Sequence, residues 1–315
     1  MPRGPEFIAG LLSGTLAALL VVALGLLSRH LWRRPTPVCS IALVIAAIAA
    51  LLTAAPPPLG LILGTLVLLE AGALACHLTV PYWIWMALMV PGAALFYRVD
   101  IPGVAWAPHV VFLAVVILGP AVADFTRRHR DLAVGPGLAL CSIAGVYVTV
   151  PDTEQARLLL GVGIPLALTG WPLRLASLGP VGAPAFVALL AWTAATGGRG
   201  RASSVLAGIA CLGVLALEPV ARRLHARVRA PLLGERPRRR QPSGMRSTRW
   251  IILVGITHFG YVLIASRVAG LLESTAATVA ILAVATPIAT LALVWIAHAA
   301  PAPSSAPKER RPVTR

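Results

Sequence analysis

Apolar residues run along this chain in stretches of roughly twenty, separated by short breaks that are rich in Pro, Gly and Arg. The runs show neither the alternation of a half-buried strand nor the polar stripe of a soluble amphipathic helix. About twenty apolar residues, rising roughly 1.5 Å each in a helix, cross the ~30 Å hydrocarbon core of a bilayer. The pattern therefore predicts an all-α fold, a polytopic bundle of transmembrane helices.

The runs and breaks predict eleven spans within one transmembrane domain, residues 1–298. The tail, residues 299–315, has a Pro/Ala/Ser/Arg composition that predicts disorder. The first run lacks a small-residue cleavage site and continues into an Arg/His cluster, so we interpret it as a retained span and not as a signal peptide. The predicted spans are residues 7–27, 39–55, 59–76, 82–97, 104–123, 134–150, 158–177, 181–197, 203–220, 250–267 and 274–298.

The basic residues predict which ends of the spans face the cytoplasm. With the N-terminus outside, 21 of the 27 Lys and Arg residues fall on the inner side, ten of them between Arg222 and Arg249. Basic residues are enriched in cytoplasmic loops, so the N-terminus is expected outside and the C-terminus in the cytoplasm. Asp124 and Glu218 fall at predicted inner ends beside arginines, where interfacial pairing explains them.

Composition narrows the class of protein further. The chain of 315 residues is 58% hydrophobic and only 12% charged, with a mean hydropathy of +0.84. Its net charge of +16 comes from arginines between spans, without the aromatic platform of a nucleic-acid binder, so nucleic acid is not an expected partner. Lys308 is the only lysine, and with abundant Ala, Gly and Pro this indicates a GC-rich, bacterial genome. The expected location is the plasma membrane, with its lipids as partners.

The longest break, residues 221–249, is too short for an independent domain. Its arginines, from Arg222 to Arg249, are placed to attract anionic lipid headgroups, although a stop-transfer loop is the simpler interpretation. Four cysteines lie in or beside apolar runs without a C-x-x-C pair, so neither a disulfide framework nor a metal site is predicted.

An internal repeat of four helices, in a 4 + 4 + 3 layout, is a further hypothesis. Spans 1, 5 and 9 end in basic clusters, and the tetrapeptide at Cys39 recurs at Cys141. Many transporters are built from such repeats. Short matches also arise by chance in a chain this rich in Ala, Leu, Val and Gly.

Two ionisable residues fall deep inside predicted spans. Glu70 in span 3 and His258 in span 10 both lie roughly 12–13 Å from the inner edge. Tyr261 shares the helix face of His258, and His77 shares that of Glu70. Intramembrane ionisable groups are costly and mark functional sites, so the four form a candidate polar site for proton relay. The alternative is a hydrogen-bonded Glu70 and a neutral, packed His258.

A second candidate site is the predicted outer break that contains Asp152, Glu154 and Arg157. Two carboxylates and a guanidinium facing outside would suit a cation or a polar substrate. The alternative is a helix cap, with Asp152 and Gln155 forming a capping box that opens span 7.

Three hypotheses for function remain open. The first is a secondary transporter or flippase of a small or lipid-linked molecule, which prolines inside spans at Pro91, Pro165 and Pro287 favour as marks of broken helices. The second is a non-catalytic membrane subunit or scaffold of a cell-envelope complex with membrane protein partners. The third is an intramembrane enzyme acting on a lipid-linked substrate at the outer face. The chain has no zincin, nucleophile-elbow or P-loop motif, and no cofactor is predicted.

Overall fold

The computed structural model describes residues 4–32, 37–54, 57–78, 81–97, 106–129, 135–170, 173–198, 201–233, 248–271 and 274–299. Over these ranges the chain forms twelve α-helices and no strand, which confirms the all-helical prediction. The helices are α1 (Pro5–Trp32), α2 (Cys39–Ala54), α3 (Leu59–His77), α4 (Tyr82–Tyr97), α5 (Ala107–Arg128), α6 (Gly135–Thr149), α7 (Glu154–Gly170), α8 (Ala183–Gly197), α9 (Ala202–Ala210), α10 (Gly213–Leu233), α11 (Thr248–Leu271) and α12 (Thr275–Ala299).

Several of these helices are long and apolar enough to cross a membrane. Four qualify singly, in α1, α3, α5 and α12, and a fifth qualifies if α9 and α10 are taken as one span bent by 66°. Five further apolar helices have 10 to 17 residues. The chain is therefore a membrane protein with multiple candidate spans, while the number that crosses the bilayer stays a prediction. Each of the eleven predicted runs contains a helix, and the ninth contains two.

The outer surface of the bundle is apolar. Leu12, Leu16 and Leu20 of α1 are exposed, as are Leu291 and Trp295 of α12. Exposed leucines in such numbers would be costly in water, at about 25 cal/mol for each Å² of apolar surface. Lipid removes that cost, which agrees with the membrane assignment.

Helix α8 lies at the centre of the bundle. Every residue from Ala183 to Ala195 is buried, and the helix packs against α5, α9 and α3. A helix that is apolar on all sides has no face suited to water, so burial in the middle of the bundle is its expected place.

Glycines let α1 and α7 approach closely. Gly10 and Gly14, one turn apart on α1, face the backbone of Leu158 and Val162 on α7, and Gly161 faces α1 in return. A β-carbon at Gly14 would lie 2.7 Å from the Val162 backbone, closer than real contacts allow. Small residues spaced by four are a common way for membrane helices to pack at short range.

The segment between α7 and α8 is irregular yet buried. Helix α7 ends at Gly170, so the predicted span to residue 177 was too long by seven residues. The amide groups of Cys39 and Ser40, which open α2, donate to carbonyls in this segment at Ser177 and Leu178. The Ser40 hydroxyl donates to the Gly179 carbonyl and accepts from the Gly182 amide. Non-helical backbone is tolerated at such depth because protein groups satisfy it.

The prolines do not break their helices. Helices α4, α7 and α12 continue through Pro91, Pro165 and Pro287, so the expectation of broken helices at these positions was wrong. The break lies in span 9, at Cys211-Leu212, where Gly213 has a φ of +47°. A left-handed φ suits glycine, which lacks a β-carbon.

Helices α1 and α5, which are counterparts in the predicted repeat, have different neighbours. Helix α1 packs mainly on α7 and α2, whereas α5, its predicted counterpart, packs mainly on α8 and α4. The four-helix repeat stays a prediction from sequence.

We expect Gly14→Ala to destabilise the protein by about 1–3 kcal/mol, because its methyl group would push α1 away from α7. Thermal unfolding of the purified chain in detergent measures the change. The matched control is Gly260→Ala on α11, where nothing lies within 4 Å of the added carbon and the effect should be neutral or slightly stabilising. Equal stability of the two variants would contradict the close packing.

Candidate functional site

Two buried carboxylates hold arginines at one end of the bundle. Asp124 accepts hydrogen bonds from Arg127 Nη2 at 3.4 Å and Arg128 Nε at 2.9 Å on its own helix, α5. It also accepts one from Arg223 Nη2 of α10, at 3.1 Å. The Asp124 side chain is 3% exposed, so it joins α5 to α10 from inside the protein.

Glu218 is the second carboxylate. Its Oε1 lies 3.2 Å from His129 Nε2 and accepts hydrogen bonds from both Nε and Nη2 of Arg222. His129 also packs edge-on against Phe125, with ring centroids 4.6 Å apart. We refer to the carboxylate–arginine network as Asp124, Arg127, Arg128, His129, Glu218, Arg222 and Arg223.

Aromatic rings of α4 hold two of the arginines from another side. The guanidinium carbon of Arg223 lies 3.9 Å from the centroid of the Tyr82 ring, and that of Arg127 lies 5.1 Å from the Trp85 ring. The Tyr82 hydroxyl donates to the Ile117 carbonyl at 2.7 Å, which fixes its ring. Cation–π contacts of this kind orient a guanidinium group while leaving its edge free to donate.

The network carries more positive than negative charge. Four arginines accompany two carboxylates, and the arginine side chains are 29–37% exposed while the carboxylates are 3% and 6% exposed. The carboxylates are therefore enclosed, whereas about a third of each arginine side chain is exposed. An arginine fork matches the oxygens of a phosphate or carboxylate, so this arrangement is suited to binding an anionic group.

Sequence reasoning treated Asp124 and Glu218 as separate interfacial pairs and missed the network. The local signal was present, since each acid is followed by arginines one helical turn later, at Arg127 and Arg128 or at Arg222. The link through Arg223 joins residues 99 positions apart and depends on the packing of α5 against α10.

His258 serves the break between α9 and α10. Its Nδ1 accepts a hydrogen bond from the Val214 amide at 3.2 Å, in the first turn of α10. Its Nε2 lies 3.0 Å from the Leu138 carbonyl and 3.3 Å from the Ser142 hydroxyl, both on α6. Because an amide can only donate, Nδ1 must be unprotonated and Nε2 must carry the hydrogen. His258 is thus a neutral, fully buried cap of an interrupted membrane helix.

Only part of the candidate intramembrane site comes together. Tyr261 lies buried on the same face of α11 as His258, and its hydroxyl is 2.9 Å from that of Thr286 on α12. Glu70 and His77 are exposed on the outside of α3. Glu70 is not among the partners of His258, so the candidate pairing for proton relay is not formed in this structure.

The predicted outer cluster is also divided. Arg157 faces α1, with its Nε 3.9 Å from Glu6 Oε2, and Glu154 is exposed at the first turn of α7. Asp152 lies two residues before the helix and makes no capping hydrogen bond within the described residues. It borders a cavity of about 390 Å³ instead, and the residues lining that cavity are Thr149, Val150, Pro151, Asp152, Gly197, Gly198, Arg201 and Ser204.

The remaining predictions concern a metal site, the basic loop and the C-terminal tail. Within the described ranges no three His, Cys, Asp or Glu side chains gather as a metal site. Of the predicted basic loop, residues 234–247 lie outside the described residues, as does the tail from residue 300. Comparison with models of known protein families finds none that matches the chain, and no curated protein matches it in sequence.

We expect Asp124→Asn to lower the free energy of unfolding by about 2–3 kcal/mol, because the amide cannot balance the three arginines that contact it. Chemical or thermal unfolding in detergent measures the loss. Glu154→Gln, which removes an exposed acid without an ion pair in the described structure, is the control and should change little. A similar small effect from both substitutions would refute a structural role for the network.

We expect His258→Phe to cost about 1–3 kcal/mol, because the Val214 amide and the Leu138 carbonyl lose their side-chain partner within the bundle. Thr257→Val is the matched control, since the Thr257 hydroxyl bonds only the Leu253 carbonyl of its own helix. Unfolding of both variants should be compared in one detergent. Tolerance of His258→Phe at the level of the control would show that the break does not need its cap.

Proposed function

We propose that the chain is a secondary transporter or flippase that moves an anionic amphiphile, such as a lipid-linked phosphate, across a bacterial plasma membrane. The observation that carries this proposal is the carboxylate–arginine network, in which accessible guanidinium groups are held ready by enclosed carboxylates and aromatic rings. A site arranged in advance binds an anion without the entropy cost of ordering flexible side chains.

The predicted orientation supports a lipid-like ligand. The positive-inside rule assigns the network to the cytoplasmic end of the spans, where anionic lipid headgroups concentrate. Because the network lies at the ends of membrane helices, an anionic headgroup can meet the arginines while its acyl chains stay in the hydrocarbon core. A soluble anion has no acyl chains and would gain nothing from the neighbouring hydrocarbon core.

The broken span supports movement as well as binding. Helices α9 and α10 meet at 66°, and α10 carries Glu218 and Arg222 of the network beyond the break. Interrupted membrane helices supply polar backbone at depth and are characteristic of transporter sites. Here the freed amide of Val214 is bound by His258, so this conformation has the break closed by a protein group. If α10 moved, the Val214 amide would leave His258 and bond another acceptor.

Lipid movement is measured in proteoliposomes that contain fluorescent phosphatidylglycerol, with dithionite added outside to quench the outer leaflet. We expect the protein to bring nearly all of the label within reach of dithionite, whereas empty vesicles protect about half. We expect Arg222→Gln and Arg223→Gln to slow this exchange several-fold, because each weakens anion binding.

Arg267→Gln is the control, since Arg267 is an exposed arginine of α11 outside the network. Labelled phosphatidylcholine tests for selectivity. Equal rates for both lipids, or equal rates for all three arginine variants, would contradict the proposal. Absence of exchange together with stable co-purification of another membrane protein would favour the subunit hypothesis.

A further inference from the structure

The cavity beside Asp152 lies apart from the network, where α6 and α8 end and α9 begins. Two glycines, Gly197 and Gly198, let the segments that form the walls of this cavity pack closely. A β-carbon at Gly197 would collide with Thr153 and Val150, and one at Gly198 would press on Val205. The cavity volume, about 390 Å³, is within the range of small-molecule sites.

Ser204 places an unused hydroxyl in this cavity. The residue is 7% exposed, lines the cavity, and makes no side-chain hydrogen bond within the part of the chain described. Several helical hydroxyls in the bundle bond the carbonyl of the preceding turn, as Thr193 does with Leu189 and as the cavity residue Thr149 does with Val146. A nearly buried hydroxyl without a partner points to a ligand atom.

Two opposite charges border the cavity without neutralising each other. Asp152 and Arg201 are both exposed at its edge, and no ion pair joins them or links either to another described residue. Helix α9 begins at this edge, and its N-cap residue Arg201 makes no side-chain capping hydrogen bond. The positive end of the helix dipole favours an anion nearby.

We propose that this cavity binds a zwitterion that has a phosphate and a primary ammonium group, the chemistry of phosphoethanolamine. The phosphate accepts hydrogen bonds from Arg201 and the Ser204 hydroxyl, which both line the cavity. The ammonium donates to the Asp152 carboxylate. A simple anion would leave Asp152 without a ligand partner, and a simple cation would leave Arg201 without one, so a ligand with both charges makes use of both side chains.

The predicted orientation puts the cavity at the outer face, whereas the network is predicted at the cytoplasmic face. The ligand can be the free zwitterion or the headgroup of phosphatidylethanolamine, since both present the same groups. This proposal stands whether or not the protein moves lipids, because it depends only on the cavity and its charges.

The test is isothermal titration of the full chain in detergent with O-phosphoethanolamine, inorganic phosphate, ethanolamine and phosphocholine. We expect O-phosphoethanolamine to bind at least about tenfold more tightly than the other three, a difference of roughly 1.4 kcal/mol. Phosphocholine should bind weakly because its quaternary ammonium has no hydrogen to donate to Asp152. Equal affinity for phosphate and O-phosphoethanolamine would overturn the zwitterion assignment.

Variants locate the binding site. Ser204→Ala and Arg201→Gln should each weaken O-phosphoethanolamine binding about tenfold, and Asp152→Asn should remove its advantage over phosphate. The matched controls are Glu154→Gln and Arg267→Gln, which lie outside the cavity lining and should bind as the parent chain does. Unchanged binding in all three cavity variants would overturn the site even if the ligand binds elsewhere.

Two nanodisc preparations distinguish the source of the ligand. If the lipid headgroup occupies the cavity, nanodiscs of phosphatidylethanolamine will suppress titration by soluble O-phosphoethanolamine, and nanodiscs of phosphatidylcholine will not. If the free zwitterion is the ligand, both preparations will titrate alike. Failure to bind in either nanodisc and in detergent would reject the proposal.

Discussion

Every backbone amide and carbonyl inside a lipid-facing bundle needs a partner from the protein, because hydrocarbon offers none. Most of this chain meets that requirement by being helical. Two buried stretches are not helical and need other partners: the irregular segment before α8 and the break between α9 and α10. Ser40 and the opening amides of α2 satisfy the first, and His258 satisfies part of the second. Two of the buried polar side chains, Ser40 and His258, are therefore explained by where the helices stop.

The same requirement governs charge at the ends of the helices. A carboxylate as enclosed as Asp124 or Glu218 is tolerated only with cationic partners. Asp124 has three arginines, and Glu218 has Arg222 together with a contact to His129. The partners come from α5 and α10 and are braced by rings on α4, so the network also locks three helices together. Its excess of arginine is what makes a binding role reasonable, since a purely structural set of ion pairs would need no accessible surplus of one sign.

The candidate features lie along one broken segment. Helix α9 begins at the cavity with the free Ser204 hydroxyl, the break follows at Gly213, and α10 then carries Glu218 into the network. Sequence reasoning had instead connected Glu70 with His258 by their similar depth. Depth along a helix follows from the residue count, but the direction of a side chain depends on which face its neighbours cover. Glu70 faces outward from α3, and His258 faces inward towards α6 and α10.

The sequence by itself determined the helical class, because a helix is one of the few ways for an apolar run of about twenty residues to hydrogen-bond its own backbone in lipid. It also located most of the helices to within a few residues. It also marked His258 as a polar group requiring a partner and Asp152 as a candidate near the end of a helix. Only the tertiary structure decided which partners these residues have. Arg223 reaches Asp124 across 99 residues of chain, and Ser204 meets Asp152 at one cavity because the end of α6 and the start of α9 lie side by side. Such contacts come from packing between distant segments, which no local pattern specifies.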